Sequence, residues 1–395
     1  EGGLCSVRGL ELLYKIGLAS PEYIEAADAK SARGKRVRTV WAAAAACLAA
    51  AVLALALLLP RAVPELPMLT VGDASSGGMG FEGYMAYDVS ELVNANPWSK
   101  ELSLTRLPVF RNAVTYGDNN EFTSEADLDA MLSLLYDVAG RLGLDADSLD
   151  ISAFPQNGPE QPLSEAGPDL YSIDASAEGV DINVDRYLTA SIRFDPSLPL
   201  PEGYNFNHHS PYDDIAAAAE YLLAEYSGIL NMDDPQLNIY GGDYSIYSEQ
   251  YYHIAFYDAG GDIVERILNY NLNFVHFGCN SAGELFIIRI YGPDLSGKVG
   301  DYPIITAEEA EELLLAGSYI TNCGYEMPGV ECVADVELVY RSSAYDEYFM
   351  PYYRFYVELP QLEREDALKT YAAYYVPAVA GEYISNMPVW DGSFN

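Results

Sequence analysis

Residues 210–230 read SPYDDIAAAAEYLLAEYSGIL, and this stretch predicts a capped helix. Ser210 belongs to the residue types that cap helix N-termini, and Pro211 suits the first helical position. The acidic Asp213 follows in the first turn, where it complements the helix dipole. Strand-like runs come next, so the order of one helix and then several strands decides the predicted fold.

The same order begins at two other places. The stretch 123–144, TSEADLDAMLSLLYDVAGRLGL, predicts a helix with Ser124 as its N-cap and an apolar stripe at helical spacing. The stretch 306–317, TAEEAEELLLAG, has Thr306 and Glu309 at the spacing of a capping box. Three predicted helices therefore each introduce a group of strands.

Runs of alternating apolar residues follow each helix. In YYHIAFY, the side chains of Tyr252, Ile254 and Phe256 share one face, which is typical of a strand buried on one side. The glycine-containing stretches 258–262 and 280–284 predict hairpin turns. Strands are predicted at residues 171–176, 180–185, 188–194, 237–242, 250–258, 267–277, 284–291, 332–340, 352–359 and 370–376.

A membrane span is predicted before this region. The stretch RGKRVRTVWAAAAACLAAAVLALALLLPR begins at Arg33, and its part from Val40 to Leu59 carries no charge. An uncharged helix of this length rises ~30 Å, the thickness of a bilayer core. The basic residues before it place the N-terminal side in the cytoplasm. A cleaved signal peptide, a lipid-modified Cys47 and a buried helix of a soluble protein are the competing interpretations.

These patterns predict the organisation of the chain. We expect a cytosolic segment at 1–38, a transmembrane helix at 39–60 and a flexible linker at 61–80. A first extracellular α+β domain is expected at 81–205, and a second α+β region of two helix-and-sheet units at 206–395. The predicted fold class is α+β, with repeated helix and antiparallel-meander units preceded by one transmembrane helix.

The formal net charge of −38 limits the partners of the chain. Phosphates would be repelled by such an acidic protein, so nucleic acid is excluded as a direct partner. The excess of acidic residues lies beyond the predicted span, which indicates a single-pass protein of the cell membrane with its C-terminal domain outside the cell. Solubility outside the cell explains this charge, and attraction to cations or basic wall components is the alternative.

Three cysteines lie beyond the predicted span. Cys323 and Cys332 flank a short glycine- and proline-containing loop, so they are a candidate disulfide in an oxidising compartment, although both could also stay reduced. Cys279 is expected to be a buried thiol. The CxxC spacing of zinc sites does not occur, and no metal site is predicted.

No catalytic constellation is predicted. His208 and His209 lie beside a helix start and are interpreted as loop residues, while His253 and His276 lie on predicted strands and could be sheet neighbours. The nucleophile motifs G-x-S-x-G and S-x-x-K do not occur. Acidic stretches such as NMDDPQLNIYGGD do not match the EF-hand spacing. We therefore predict that the chain is not an enzyme and uses no cofactor.

Tyrosine is unusually frequent, with 33 residues in the chain. Most are expected in half-buried strands, with the ring inside and the hydroxyl at the edge. A minority could form an exposed surface that binds peptide or glycan. The candidate residues for this surface are Tyr251, Tyr257, Tyr345, Tyr348, Tyr352 and Tyr353.

Several motifs resemble a known group of proteins. The stretch MGFEGYMAYDVSEL, followed by NPW and LPVFRN, resembles the start of the extracellular part of uncharacterised single-span surface proteins from Clostridia-type gut bacteria, which are Gram-positive. The C-terminal stretches YPIITAEEAEELL, VELVY, PYYRFYVEL and YYVPAVAG are similar to YycI/YycH-like and PepSY-like modules. The resemblance implies a PepSY-like or cystatin-like fold, in which a helix packs on an antiparallel sheet.

The resemblance also implies a role. YycI-like proteins are membrane-anchored accessories that restrain a sensor histidine kinase, and their modules contain no catalytic residues. We expect a membrane-anchored extracellular interaction or regulatory protein, an accessory of an envelope signalling system, whose partner is another membrane or envelope protein. The alternative is a surface module that binds peptide or cell-wall glycan. A hydrolase is the third interpretation, and only the abundance of acidic residues favours it.

Overall fold

Antiparallel strand pairing organises the part of the chain that the computed structural model describes. The described residues are 66–72, 84–87, 94–117, 121–177, 179–207, 210–244, 250–362 and 369–392. The predicted cytosolic segment and transmembrane helix lie outside these ranges, as does most of the linker. Within them, no helix has the length and apolar character needed to cross a membrane.

Five α-helices occur in the described residues: α1 (Leu128–Arg141), α2 (Tyr212–Glu225), α3 (Ser227–Leu230), α4 (Ile263–Leu272) and α5 (Ala307–Leu315). The strands are β1 (Tyr84–Tyr87), β2 (Arg106–Arg111), β3 (Asp150–Pro155), β4 (Gln161–Pro162), β5 (Leu170–Ala177), β6 (Val180–Asp185), β7 (Ala190–Leu198), β8 (Pro235–Tyr244), β9 (Gln250–Asp258), β10 (Phe274–Cys279), β11 (Leu285–Ile290), β12 (Lys298–Pro303), β13 (Val333–Tyr340), β14 (Tyr348–Phe349), β15 (Pro351–Glu358) and β16 (Lys369–Pro377).

One long sheet joins strands from all three helix-and-strand groups. Among the described residues its order is β13-β15-β16-β1-β8-β9-β10-β11-β7-β6-β5-β3-β4, and a second sheet has the order β12-β2-β14. Neighbouring strands in both sheets pair antiparallel. The predicted α+β class with antiparallel strands is therefore confirmed at this level.

The first hydrophobic core lies between α1, α2 and the strands from β3 to β11. Leu135 of α1 and Leu222 of α2 are fully buried there against strand residues such as Ile192, Ile254 and Ile288. The burial alternates along β10, as expected for strands that present one face to a core. This core crosses the predicted domain boundary at residues 205 and 206, and Leu66–Asn395 form one compact unit.

The second and third cores lie on opposite faces of β15 and β16. Phe355 and Tyr374 belong to the second core, which α4 and α5 cover. Tyr356 and Tyr375 belong to the third core, which also contains Leu69. Because successive strand side chains point to opposite faces, these two strands are buried on both sides. Both faces of this part of the sheet are therefore inside the protein.

The helix starts differ in part from the predicted ones. Asp127 caps α1 by accepting from the backbone N–H of Ala130, whereas the Ser124 hydroxyl donates to the carbonyl of Ala113. Ser210 does not cap α2, because its hydroxyl accepts from the Asn207 N–H and the helix begins at Tyr212. The predicted capping box of α5 is confirmed.

The prediction of a strand over 267–277 is wrong in its first half. Residues Ile263–Leu272 form α4, and β10 begins only at Phe274. The stretch 258–262 leads into this helix and is not a hairpin turn. The stretch 280–284 does connect β10 to β11, so that hairpin is confirmed.

Candidate functional site

A cavity of about 640 Å³ lies among the described residues. This volume lies in the range of small-molecule and peptide side-chain pockets. Its walls come from residues 112–114, from Glu125, Asp127 and Ala130 around the start of α1, from residues 186–189 in the β6–β7 turn, from Asn271, Leu272 and Phe274 at the α4–β10 junction, from residues 291–294 after β11, and from Ser342, Ala344 and Phe349. The site is therefore assembled from segments that are far apart in sequence.

Arg186 is the buried cation of this cavity. Its side chain is only 2% exposed, and its guanidinium lies 3.5 Å from the centre of the Phe122 ring. One terminal nitrogen donates to the Leu170 carbonyl at 3.1 Å, and the other donates to the Ser124 carbonyl at 2.6 Å. Burial lowers the pKa of Arg186. Backbone carbonyls and an aromatic face thus hold this guanidinium.

Aromatic rings form the surroundings of Arg186. Phe122 stacks on Tyr116 with ring centres 4.6 Å apart, and Tyr345 packs against Tyr116 at 5.1 Å. Tyr171 and Tyr187 contact Phe122 at 6.2 and 6.3 Å. Burial, together with the interaction with Tyr116, raises the pKa of the buried Tyr187 hydroxyl. These rings surround the Phe122 ring, which covers one face of the guanidinium.

The β6–β7 turn presents Arg186 and its neighbours to the cavity. The Asp185 carboxylate accepts from the backbone N–H groups of Tyr187 at 2.9 Å and Thr189 at 3.0 Å. Leu188 has a φ of 61°, a left-handed conformation that a leucine adopts at a cost of about 1–2 kcal/mol. Burial raises the pKa of Asp185 to about 6, although the two backbone hydrogen bonds oppose this shift.

Three carboxylates also line the cavity. Glu125, Asp127 and Asp294 are exposed, in contrast to the buried Arg186. Asp127 is engaged as the cap of α1, and Asp294 accepts from the Ser296 N–H at 2.8 Å. The cavity therefore combines exposed negative charge with one buried positive charge. Such an arrangement can orient a ligand that carries both signs.

The remaining walls are mainly apolar. Leu188 and Phe274 contribute half-buried apolar surface, whereas the lining residues Leu272 and Phe349 are nearly fully buried. Apolar walls with a few charged groups are typical of binding sites, where the apolar surface supplies affinity and the charges fix the orientation. The arrangement is suited to binding an amphipathic ligand.

The predicted tyrosine surface is mostly wrong. Tyr257, Tyr348, Tyr352 and Tyr353 are buried, with exposures of 4, 6, 2 and 2%. Strand alternation indicates one buried face, but cores cover both faces of β15, so its tyrosines have no exposed side. Tyr345 is half-buried and packs on Tyr116 beside the cavity. The side chain of Tyr251 lies outside the described part of the chain.

The candidate disulfide is not formed in the structure. Cys323 and Cys332 are both free thiols. Cys323 is fully buried, with its sulfur 3.5 Å from the Tyr374 hydroxyl, whereas Cys332 is half-buried. Cys279 is a buried thiol, as predicted, and burial raises its pKa to about 11.

The histidines separate into two groups. His208 and His209 lie outside the described residues, so their interpretation stays a prediction. His253 on β9 and His276 on β10 are sheet neighbours, as predicted, with ring centres 5.7 Å apart. Burial, together with the nearby His253, lowers the pKa of His276 to about 4. The described residues contain no group of three or more His, Cys, Asp or Glu arranged to hold a metal ion.

Sequence reasoning missed two ion pairs in the interior. Arg341 and Asp346 lie 3.1 Å apart with side chains 4% and 3% exposed, and burial raises the pKa of Asp346 to about 6. Glu337 pairs with Arg354 across β13 and β15. The alternation of polar and apolar residues does not reveal these pairs, because both partners occupy strand or loop positions that usually face solvent.

Neither the known protein-family models nor the curated proteins include a significant match to this chain.

Proposed function

We propose that this chain is a membrane-anchored extracellular binding and regulatory protein whose described unit recognises a peptide in the cavity. The observation that carries the proposal is the cavity of about 640 Å³, with apolar walls, exposed carboxylates and the buried Arg186. A non-enzymatic role without a cofactor is part of the proposal and follows from the sequence. We name the residues that line this cavity the cavity site.

A peptide fits the cavity site better than a cell-wall glycan does. A glycan carries hydroxyl groups around the rim of each sugar ring, and these groups would lack hydrogen-bond partners against apolar walls such as Leu188 and Phe274. A short peptide brings apolar side chains together with charged or polar ends. The tyrosines proposed for glycan stacking are mostly buried, which further favours the peptide.

The segment 66–72 supports the regulatory part of the proposal. The Leu69 N–H donates to the Tyr383 carbonyl at 2.7 Å, and the Ser385 N–H donates to the Leu69 carbonyl at 2.9 Å. The Asn386 side chain accepts from and donates to the backbone of Val71, each at 2.8 Å. This segment follows closely after the predicted span at 39–60, so in the proposal its hydrogen bonds would connect the described unit to the membrane anchor.

The resemblance to YycI-like and PepSY-like modules is the second support for the regulatory role. Each of α1, α2 and α5 precedes antiparallel strands, which is the local order of PepSY-like modules, and the finer claim of repeated PepSY-like units belongs to this proposal. The proposed partner is another membrane or envelope protein, such as a sensor kinase. Isolation of the full chain from membranes without any such protein would argue against this role.

Peptide binding is tested with a variant that fills the cavity site. Ala130 lies on α1 and lines the cavity, so the phenyl group of Ala130→Phe would occupy the ligand volume. For the full-length wild type, a tripeptide of two leucines and one phenylalanine should raise the free energy of unfolding by about 2.7 kcal/mol at ~100 times Kd. The variant should show no such increase. Thermal unfolding with and without peptide measures both.

The matched control is Ala224→Phe, an exposed position on α2 that does not line the cavity. This variant should retain the full peptide effect. A chitin oligosaccharide of four sugars is the competing ligand. Stabilisation by the oligosaccharide alone, or equal peptide effects in Ala130→Phe and the wild type, would contradict the proposal.

A further inference from the structure

Arg186 has no acidic partner, although it is nearly fully buried. No described carboxylate forms an ion pair with its guanidinium, and its contacts are two backbone carbonyls and the Phe122 ring. Burying a charge costs free energy unless an opposite charge is close to it. Neutral groups do not neutralise the guanidinium, so it would still attract an anion. This unbalanced cation lines the cavity site.

The unused donor of Arg186 lies at this turn. The Nε of Arg186 is buried and has no acceptor, whereas both terminal nitrogens are engaged. The Tyr187 hydroxyl is also buried and interacts with Tyr116. Both side chains line the cavity and pack around Phe122. An anionic oxygen in the cavity would give the Arg186 Nε an acceptor.

The number of donors favours a carboxylate over a phosphate. A phosphate dianion needs several strong donors, and a bidentate contact with arginine would require nitrogens that already bind the Leu170 and Ser124 carbonyls. A carboxylate carries one charge and needs fewer donors than a phosphate dianion does. The exposed carboxylates of Glu125 and Asp294 would also repel a dianion more strongly than a monoanion.

The exposed carboxylates of the cavity would attract the positively charged end of the same ligand. Glu125 is exposed, lines the cavity and makes no hydrogen bond within the described residues. A ligand ammonium near Glu125 and a ligand carboxylate near Arg186 would place each charge beside its opposite. A short peptide with free ends carries both groups, and its side chains match the apolar walls.

We infer that the cavity site recognises the free carboxyl terminus of a short apolar peptide through the Arg186 guanidinium, with the peptide ammonium facing Glu125. This inference rests on the proposed function and specifies its ligand class. It distinguishes the free ends of a processed peptide from an internal segment of a longer chain, because an internal segment carries neither charge.

The decisive experiment changes the ligand and leaves the protein intact. Isothermal titration of the full chain compares the tripeptide of two leucines and one phenylalanine as the free acid and as the C-terminal amide. A charge-assisted hydrogen bond in a buried site corresponds to at least about tenfold in affinity, so the acid should bind about tenfold more tightly or better. Equal Kd values for the two forms would overturn the inference.

A protein variant then assigns the preference to Arg186. Arg186→Met removes the charge and keeps an unbranched side chain, and it should bind the acid and the amide with equal Kd. The matched control is Arg193→Met, because Arg193 is exposed on β7 and does not line the cavity. This control should keep the full preference. A folded Arg186→Met variant that still prefers the acid tenfold would overturn the inference.

The outcomes separate the inference from the proposed function. Binding of both peptide forms with equal Kd would retain the cavity site as a peptide site and reject recognition of the carboxyl terminus. Binding of neither form would reject the inference and the proposed function together. If Arg186→Met does not fold, the comparison of acid and amide on the wild type still tests the inference.

A second variant tests the ammonium contact. Glu125→Gln should bind the free acid more weakly than the wild type does, whereas Glu220→Gln, the exposed control on α2, should bind it equally well. Equal binding by Glu125→Gln and the wild type would contradict the ammonium contact.

Discussion

At the residue scale, Asp185 joins the stability of the β6–β7 turn to the geometry of the cavity site. Its carboxylate accepts two backbone hydrogen bonds that fix the positions of Tyr187 and Thr189, and the intervening Leu188 takes a left-handed conformation. A glycine at position 188 would have predicted a left-handed turn, whereas the leucine found there does not. The site residue Arg186 was therefore not found from the sequence.

Asp185→Asn should change how stability depends on pH. The pKa of Asp185 is about 6 in the folded protein, above its ordinary value of 3.8. The native state therefore binds the proton more tightly, and this contribution to stability is full below 3.8 and is lost as the pH rises through 6. The difference corresponds to about 3 kcal/mol at neutral pH. Asparagine keeps the acceptor oxygen and does not ionise.

Urea unfolding of the full chain at several pH values between 4 and 7 measures this effect. Relative to the wild type, Asp185→Asn should gain stability from pH 4 to about 6, and the difference should level off towards pH 7. The control Asp150→Asn changes an exposed aspartate of β3 and accounts for the loss of one surface charge. A constant stability difference between Asp185→Asn and the wild type from pH 4 to 7 would contradict the assignment.

At the element scale, most strands were predicted from the sequence, whereas α4 was not. The predicted bounds of β6 and β9 agree with the structure, because alternating apolar residues occupy most of each strand. The stretch before β10 was assigned to the same strand, since Ile267, Leu272 and Phe274 look like a continuous apolar run. The missed signal is the pair Asp262 and Glu265, which forms a capping box.

This capping box should contribute measurably to stability. The Asp262 carboxylate accepts from the N–H groups of Val264 and Glu265 at 2.8 and 3.0 Å, and α4 helps to cover the second core through Ile267 and Leu272. Asp262→Ala should lower the free energy of unfolding by about 1 kcal/mol, measured by urea titration. Asp213→Ala in the first turn of α2, whose N-cap makes no side-chain bond, should cost roughly 0.5 kcal/mol or less. An equal loss in both variants would contradict the role of the box.

At the scale of the whole molecule, long-range strand pairing determines the order of the strands in the sheet, which could not be predicted from the sequence. The pairs β7–β11 and β1–β16 join distant parts of the chain into one sheet, and no local pattern encodes them. Long-range pairing also places β15 and β16 between two cores. These cores bury the tyrosines that had been predicted to form an exposed surface. The α+β class could be predicted because it depends only on local order.

The cavity site is also a product of the whole molecule. Its lining residues run from Asn112 to Phe349, so only the complete fold brings Arg186, Glu125 and the apolar walls together. The proposed extracellular location and the proposed peptide site are two parts of one account, and one measurement can test both.

The most direct measurement uses intact cells that express the full chain. A membrane-impermeant tripeptide with free ends and a photoreactive apolar side chain is added outside, illuminated, and mapped by mass spectrometry. The account predicts labels on residues 186–189 or 291–294 without breaking the cells. Labels that appear only after lysis, or that fall on the sheet edge at Val333–Tyr340, would contradict it.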